Sequence, residues 1–293
     1  MLRIGLTLFA GLLGLAFGSF LNVCLTRWPA GESVVAPRSH CRNCEHTLAW
    51  WENVPLMSWI GLRGRCRGCG VGIGWRYPLV ELAVGSCWAI LGWRLVGQIL
   101  RSSESRIGPL FADYGIALET AILCLLLVGL AALDAEFLWL PDRITLPGIF
   151  VGALFSIALI VQSQTYITVQ PPIWQTTAEY LVGILVAAGL ILLIRRVYWL
   201  MRRREGMGLG DAKLMALLAA WLGLPGALLA FALGVVLGAG VALIQLAVGS
   251  RHAEAERWSM GKLPLGTFLC VGGIVSSLWG PAILAAYFRL AGL

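Results

Sequence analysis

Eight apolar runs recur along this 293-residue chain, near positions 4–25, 79–100, 115–133, 144–161, 180–200, 212–222, 226–248 and 264–288. Nothing else in the sequence constrains the fold as strongly. A helix needs about 20 apolar residues to cross the hydrocarbon layer, and most of the runs reach that length. The run at 212–222 is too short, so it is expected to span incompletely or to sit inside the bundle. The expected fold is an all-α polytopic membrane protein with about eight transmembrane helices. Composition agrees: 59% of residues are hydrophobic and 13% charged, roughly half the charged fraction of a soluble domain. The first run is longer than the apolar segment of a secretory signal and lacks a clear cleavage site, so it reads as a retained first helix. No low-complexity segment, heptad array or internal repeat is visible.

Basic residues cluster on alternate loops. Segment 27–77 carries seven arginines, segment 195–213 carries Arg195, Arg196, Arg202, Arg203, Arg204 and Lys213, and segment 250–263 adds Arg251, Arg257 and Lys262. The opposite side has Arg3, Arg101, Arg106 and Arg289. The positive-inside rule places the long loop in the cytoplasm and both termini outside. Topology and nearby anionic headgroups account for the net charge of +7, and no nucleic-acid partner is needed to explain it.

The long loop contains two C-x2-C pairs, Cys41/Cys44 and Cys66/Cys69, separated by 21 residues. Two residues between ligands let both thiolates of a pair reach one tetrahedral ion, and four thiolates close the shell as structural zinc requires. A pair of disulfides is the alternative, which a reducing cytosolic face disfavours. His40 and His46 lie close enough in sequence to substitute for a ligand, although solvated loop histidines are commoner. Between the pairs, WWENVPLMSWIGL is too apolar for an ordinary loop. It is expected to pack on the metal module or to lie in the headgroup layer. Cys24, Cys87, Cys124 and Cys270 fall within apolar runs and read as small buried hydrophobes. The expected division is a first helix at 1–26, a zinc-binding module at 27–77 and a membrane core at 78–293.

Few carboxylates lie near the cytoplasmic helix ends. Asp134 follows some twenty mostly apolar residues, and Asp211 opens KLMALLAAWLG behind a turn containing Gly206, Gly208 and Gly210. Both fall at comparable depth on different helices. If they face each other, they share a proton and titrate as a unit, one taking a proton from water while the other polarises a carbonyl. The plainer alternative makes Asp211 a helix N-cap and Asp134 a helix-end residue whose carboxylate reaches the interface. Other schemes lack parts: the three histidines all lie in loops, and no H-E-x-x-H or Walker signature occurs.

Several stretches, in order, resemble the type IV prepilin peptidases, also called leader peptidase/N-methyltransferases. They are FGSFLNVCLTRWP at 17–29, the two cysteine pairs, WWENVPLMSW, GRCRGCG, RYPLVEL, LDAEFLWLPDRITLP, GMGLGDAKL and AAWLG. The resemblance covers nearly the whole chain. It implies a GxGD-type aspartyl protease of the bacterial cytoplasmic membrane, with Asp134 and Asp211 as the catalytic pair and Gly208 and Gly210 in the active-site turn. It further implies cleavage of prepilin or pseudopilin leaders after glycine on the cytoplasmic side, and a zinc-binding cysteine loop. N-methylation with S-adenosylmethionine is implied too, without residues; Glu81 is the one candidate, with a capping or ion-pair role as its alternative. One stretch departs from the family. Where many relatives begin the last helix with Phe-Gly-Pro, this chain has Leu265, Gly266 and Thr267. Two other readings stay open on sequence alone: a GxGD protease for other membrane substrates, and a non-enzymatic zinc-bearing scaffold.

Overall fold

The computed structural model describes residues 1–100, 107–164, 171–203, 208–249 and 264–292. The basic segment 250–263, with Arg204, Gly206, Arg101 and Arg106, lies outside the described residues. Among the described residues every long element is helical, and β-pairing is limited to two isolated bridges. Seven helices are long and apolar enough to cross a membrane, which makes this a multi-pass membrane protein. The chain divides into two compact units, residues 1–132 and 133–293.

The first unit contains α1 (Leu2–Arg27), the cysteine loop with its short α2 (Met57–Gly61), α3 (Arg76–Ile99) and most of α4 (Ile107–Phe137). α1 and α3 pack along their lengths through small residues. A Cβ on Gly14 would lie 2.9 Å from Val84 O, and one on Gly18 would lie 2.8 Å from Glu81 Cα. Backbones approach this closely in membranes because van der Waals packing, with no hydrophobic drive between helices, holds them together. This contact fixes Asn22, one turn beyond Gly18, against the start of α3, where its amide donates to Tyr77 O at 2.9 Å. At the end of α1 the buried Arg27 donates to the carbonyls of Ser33, Pro37 and Arg38, which folds the chain back beneath the helix.

The second unit holds the end of α4 with α5 (Asp142–Gln164), α6 (Ile173–Arg202), α7 (Leu209–Gly249) and α8 (Leu265–Ala291). α7 has 41 residues and would be about 60 Å long if straight, twice the hydrocarbon thickness. It is bent at Gly223, whose φ of 67° and ψ of 173° suit glycine alone. The contacts show that the bend reverses the chain. The first limb runs alongside α5 in the same direction, with Lys213 paired to Asp142 and Trp221 Nε1 donating to Gly148 O. The second limb pairs with α8 in opposite order: Gly226 with Ser276, Gly234 with Leu269 and Gly238 with Phe268. The short run at 212–222 is therefore the first limb of a helical hairpin. Residues 214–221 of that limb are buried without interruption, as a helix apolar on all sides should be. The eight sequence runs and the seven spanning helices differ only through this fusion.

Candidate active site and cysteine centre

α4 ends because Leu138 turns left-handed, at φ 49°, with its N–H on Asp134 O, and Pro141 follows three residues later. The last turn of α4 therefore presents Asp134 at the helix end, buried to 6% exposure. Its Oδ2 accepts two hydrogen bonds from the start of α8: Thr267 N–H at 2.6 Å and Thr267 Oγ1 at 3.0 Å. Gly266 lies against the same carboxylate, where an added Cβ would be 2.9 Å from both Cγ and Oδ2.

Asp211 comes from the first turn of α7. It occupies the third helical position, and its Oδ2 accepts the N–H of Gly208 at 3.1 Å. This is one half of a capping box, so the capping alternative is met in a modified form: Asp211 satisfies the orphan N–H from inside the helix. Leu140 ties the two aspartates together. Its side chain lies 3.3 Å from a Cβ position on Gly210 and 3.1 Å from one on Gly266. The fully buried Cys270 lies about one turn into α8, behind Gly266 and Thr267. Glycine at 210 and 266 admits the Leu140 wedge and lets three helix termini converge. The geometry brings together Asp134, Asp211, Gly208 and Gly210. Thr267 and Leu140 complete the site. Spacing gave no sign of Leu140, and Thr267 stood out only as the departure within LPLGTFL.

In the first unit, Cys41, Cys44, Cys66 and Cys69 gather with all four sulfurs within 4.8 Å of one another. Cys41–Cys69 and Cys44–Cys66 are each 3.9 Å apart, close to the about 3.8 Å edge of a tetrahedron with 2.3 Å metal–sulfur bonds. All four are free thiols, so the disulfide alternative is not realised. The two pairs are copies of one knuckle. Cys41 N donates to His46 O as Cys66 N does to Val71 O; Glu45 N bonds Cys41 O as Gly70 N bonds Cys66 O. Glu45 and Gly70 are both left-handed, and the bridges His40–Thr47 and Arg65–Gly72 close the two turns alike. A short repeat, HCRNCEHT against RCRGCGVG, underlies this symmetry and corrects the expectation of no internal repeat; eight residues sharing only CR-x-C are too few to stand out by letters.

Electrostatics within the cluster favour a cation. The Val71 N–H, with the Asn43 amide, pulls Cys69 down to about 6, and the N–H groups of Asn43 and Cys44 lower Cys41. The His46 N–H pulls Cys44 down as well, yet Cys69 and the other crowded sulfurs outweigh it and push Cys44 up to about 12. Four thiolates this close resist full ionisation unless a cation sits among them. His46 does not join them: its Nε2 meets Glu52 Oε2 at 3.2 Å. Glu52 in turn is held below the usual carboxylate range by the Ala49 N–H. WWENVPLMSWIGL packs on the module. Trp59 contacts Trp75 with ring centroids 4.4 Å apart and donates to Ile73 O at 3.1 Å. Glu81, buried to 7% exposure, accepts the Leu56 N–H at 2.8 Å, a backbone contact in place of the expected cap or ion pair.

Comparison with known proteins bears on both centres. Residues 12–95 match the bacterial peptidase A24 N-terminal domain, and residues 121–243 match the type IV leader peptidase family. A prepilin leader peptidase/N-methyltransferase of Stutzerimonas stutzeri is 32% identical across 98% of this chain and 95% of its own length. A protein of the same name from Burkholderia pseudomallei (strain 1026b) is 34% identical across 93% and 85%, respectively. Another from Klebsiella pneumoniae is 38% identical across 73% and 84%. No solved structure matches.

Proposed function

The chain belongs to the type IV leader peptidase family, and from that premise we propose that it is a membrane-embedded aspartyl endopeptidase acting on prepilins or pseudopilins. It removes their basic leaders after glycine and then N-methylates the new N-terminus with S-adenosylmethionine. The observation that supports the peptidase reading is the packing of Leu140 against Gly210, next to Asp211, and against Gly266, which abuts Asp134, so that the ends of three helices meet. One carboxylate takes a proton from water as the water attacks the scissile carbonyl. The other, protonated, hydrogen-bonds the carbonyl oxygen and then gives its proton to the departing amine. No covalent intermediate is required. Both aspartates sit at helix ends, where a substrate with a polar leader and an apolar helix places its scissile bond. The glycines at 208 and 210 let an extended peptide approach the backbone closely.

Zinc is the ion that best suits a closed shell of four thiolates, and with no open position it serves structure. We read the cysteine module and both aspartates as facing the cytoplasm across the bacterial inner membrane; the basic residues of segments 27–77 and 195–213 support that side for each. The match of residues 12–95 to the N-terminal domain of the same peptidases favours prepilin substrates over those of other GxGD proteases.

The test is reconstitution with a model prepilin. Asp134→Asn and Asp211→Asn should each abolish leader cleavage while leaving fold and metal content intact, and cleavage retained in either variant would sink the dyad. Loss in both also rejects a non-enzymatic scaffold. Labelled S-adenosylmethionine in the same assay reads methylation of the cleaved product.

A further inference from the structure

The first unit holds a partly open cavity of about 370 Å³ between the C-terminal end of α1, the cysteine module and the start of α3. Its wall includes Asn22, Thr26, Glu52, Trp59, Tyr77 and Glu81. Three of these are buried acceptors, and two of them are incompletely satisfied. Asn22, at 2% exposure, spends its amide on Tyr77 O, and its Oδ1 has no partner. Glu52, at 6%, accepts from Ala49 N and His46 through Oε2, while Oε1 has none. Glu81 accepts from Leu56, a bulky residue held at φ 59°, where side chains are strained. An unmet buried acceptor costs about 1–3 kcal/mol. The neighbouring arginines donate no hydrogen bond to Asn22 Oδ1 or Glu52 Oε1. Arg27 bonds three carbonyls, Arg42 bonds Thr26 O and Glu32, and Arg67 lies over the Trp51 ring.

Two carboxylates and an amide oxygen around one cavity call for a ligand rich in donors and positively charged. Trp59, packed against Trp75, and Tyr77, under the Arg76 guanidinium, add apolar wall. We propose that this cavity is the methyl-donor site, in which Asn22, Glu52 and Glu81 receive the donor groups and positive charge of S-adenosylmethionine. The inference rests on the methyltransferase reading above and gives it a location. The ligand's α-ammonium and sulfonium supply the charge, and its adenine amine and ribose hydroxyls supply donors. The volume lies within the range of small-molecule sites. When bound, the donor supplies a sulfonium methyl: the acceptor nitrogen forms the new N–C bond as the C–S bond breaks, S-adenosylhomocysteine leaves, and the ammonium proton passes to a carboxylate or water. A cationic leader segment is the other occupant such acceptors could hold; a cavity of small-molecule volume, with its buried acceptors close together, favours the nucleoside.

The experiment uses the full-length protein in lipid nanodiscs and tritiated S-adenosylmethionine, read by equilibrium binding and by ultraviolet cross-linking with peptide mapping. Label should map to residues 17–27 or 48–81. Glu81→Gln and Glu52→Gln should each weaken binding by about tenfold or more, the loss of one charge-assisted hydrogen bond. Val23→Trp, which fills the cavity without removing a polar group, should also block binding. Metal content and leader cleavage serve as folding controls. Wild-type binding with label mapped outside this region, or with unchanged affinity in all three variants, overturns the site while leaving methyl transfer standing. Variants that raise KM for prepilin with unchanged donor binding show the cavity to be a leader site and likewise overturn it. If the wild type neither binds the donor nor methylates, the methyltransferase reading fails and the site with it.

Discussion

The sharpest test of the aspartate site is a single methyl group. In Gly266→Ala the new Cβ would lie 2.9 Å from Asp134 Cγ and Oδ2 and 3.1 Å from Leu140 Cδ1. Non-bonded carbon contacts settle at about 3.5–4.0 Å, so about 0.6–1 Å of separation must be found. α8 cannot easily retreat to provide it. Behind it, a Cβ at Gly272 would already be 2.3 Å from Ala230 O, and Gly234 sits with its own Cβ position 3.1 Å from the Leu269 backbone. The carboxylate must move instead, and in moving it leaves the two donors of Thr267. Displacing a catalytic group by about 1 Å can cost 100-fold in rate. The expected outcome is a fall of about 10–100-fold in kcat for leader cleavage, with little change in KM. Overpacking of about 1–3 kcal/mol should appear separately as a lower unfolding midpoint. Gly240→Ala, where nothing lies within 4 Å, is the matched control and should be silent. If Gly266→Ala cleaves within about threefold of wild type while Asp134→Asn is dead, the carboxylate does not work from the position seen here, and the reasoning fails.

Other consequences follow from the same contacts. Thr267→Val keeps the backbone donor to Asp134 and removes the hydroxyl, so kcat should fall by about 3–10-fold; an unchanged rate would show that the hydroxyl bond is idle. Gly152→Ala would put a Cβ 2.3–2.7 Å from the buried Trp221 ring, and should destabilise the α5–α7 contact by about 1–3 kcal/mol in thermal unfolding. Leu138→Gly relieves a left-handed leucine at the end of α4 and should raise the unfolding midpoint, by up to about 1–2 kcal/mol of strain. Replacing Cys41 and Cys69 by serine, or stripping the metal with a chelator, should empty the cysteine centre by elemental analysis and alter the fluorescence of Trp59 and Trp75.

Where the sequence was informative, the signal was local. Apolar runs near 20 residues became spans, and the paired C-x2-C spacing became one sulfur cluster, because ligand spacing and helix length are properties of short segments. The break at 223–225 was visible as well, but its consequence was not. Whether a glycine kinks a helix or reverses it depends on what receives the second limb, and here α8 does so through Gly272 and Ser276, some fifty residues onward. Asn22 gave no warning of its buried, half-satisfied amide, since its partner Tyr77 lies fifty-five positions away. The knuckle repeat was present in the letters, yet only CR-x-C is shared closely. Glu45 and Gly70 take the same left-handed turn with different side chains, so identity understates a symmetry that the backbone keeps.

The departure at Thr267 shows how a local exception acquires meaning from a long-range contact. On sequence it was a missing proline at the start of the last helix, a change that bears on how the helix begins. In the fold its N–H and hydroxyl both reach Asp134 Oδ2, and a proline has neither to offer. Thr267 therefore supplies two donors to one member of the pair, next to Gly266, where an added Cβ would meet the same carboxylate. Proline would fix the start of α8 through its ring, whereas threonine fixes it through the carboxylate that the helix start abuts. In this chain the position of α8 and the orientation of Asp134 are thus set by the same two hydrogen bonds. Disturbing either should be felt at the other, which is why a methyl group on Gly266 and a lost hydroxyl on Thr267 are expected to act on one rate.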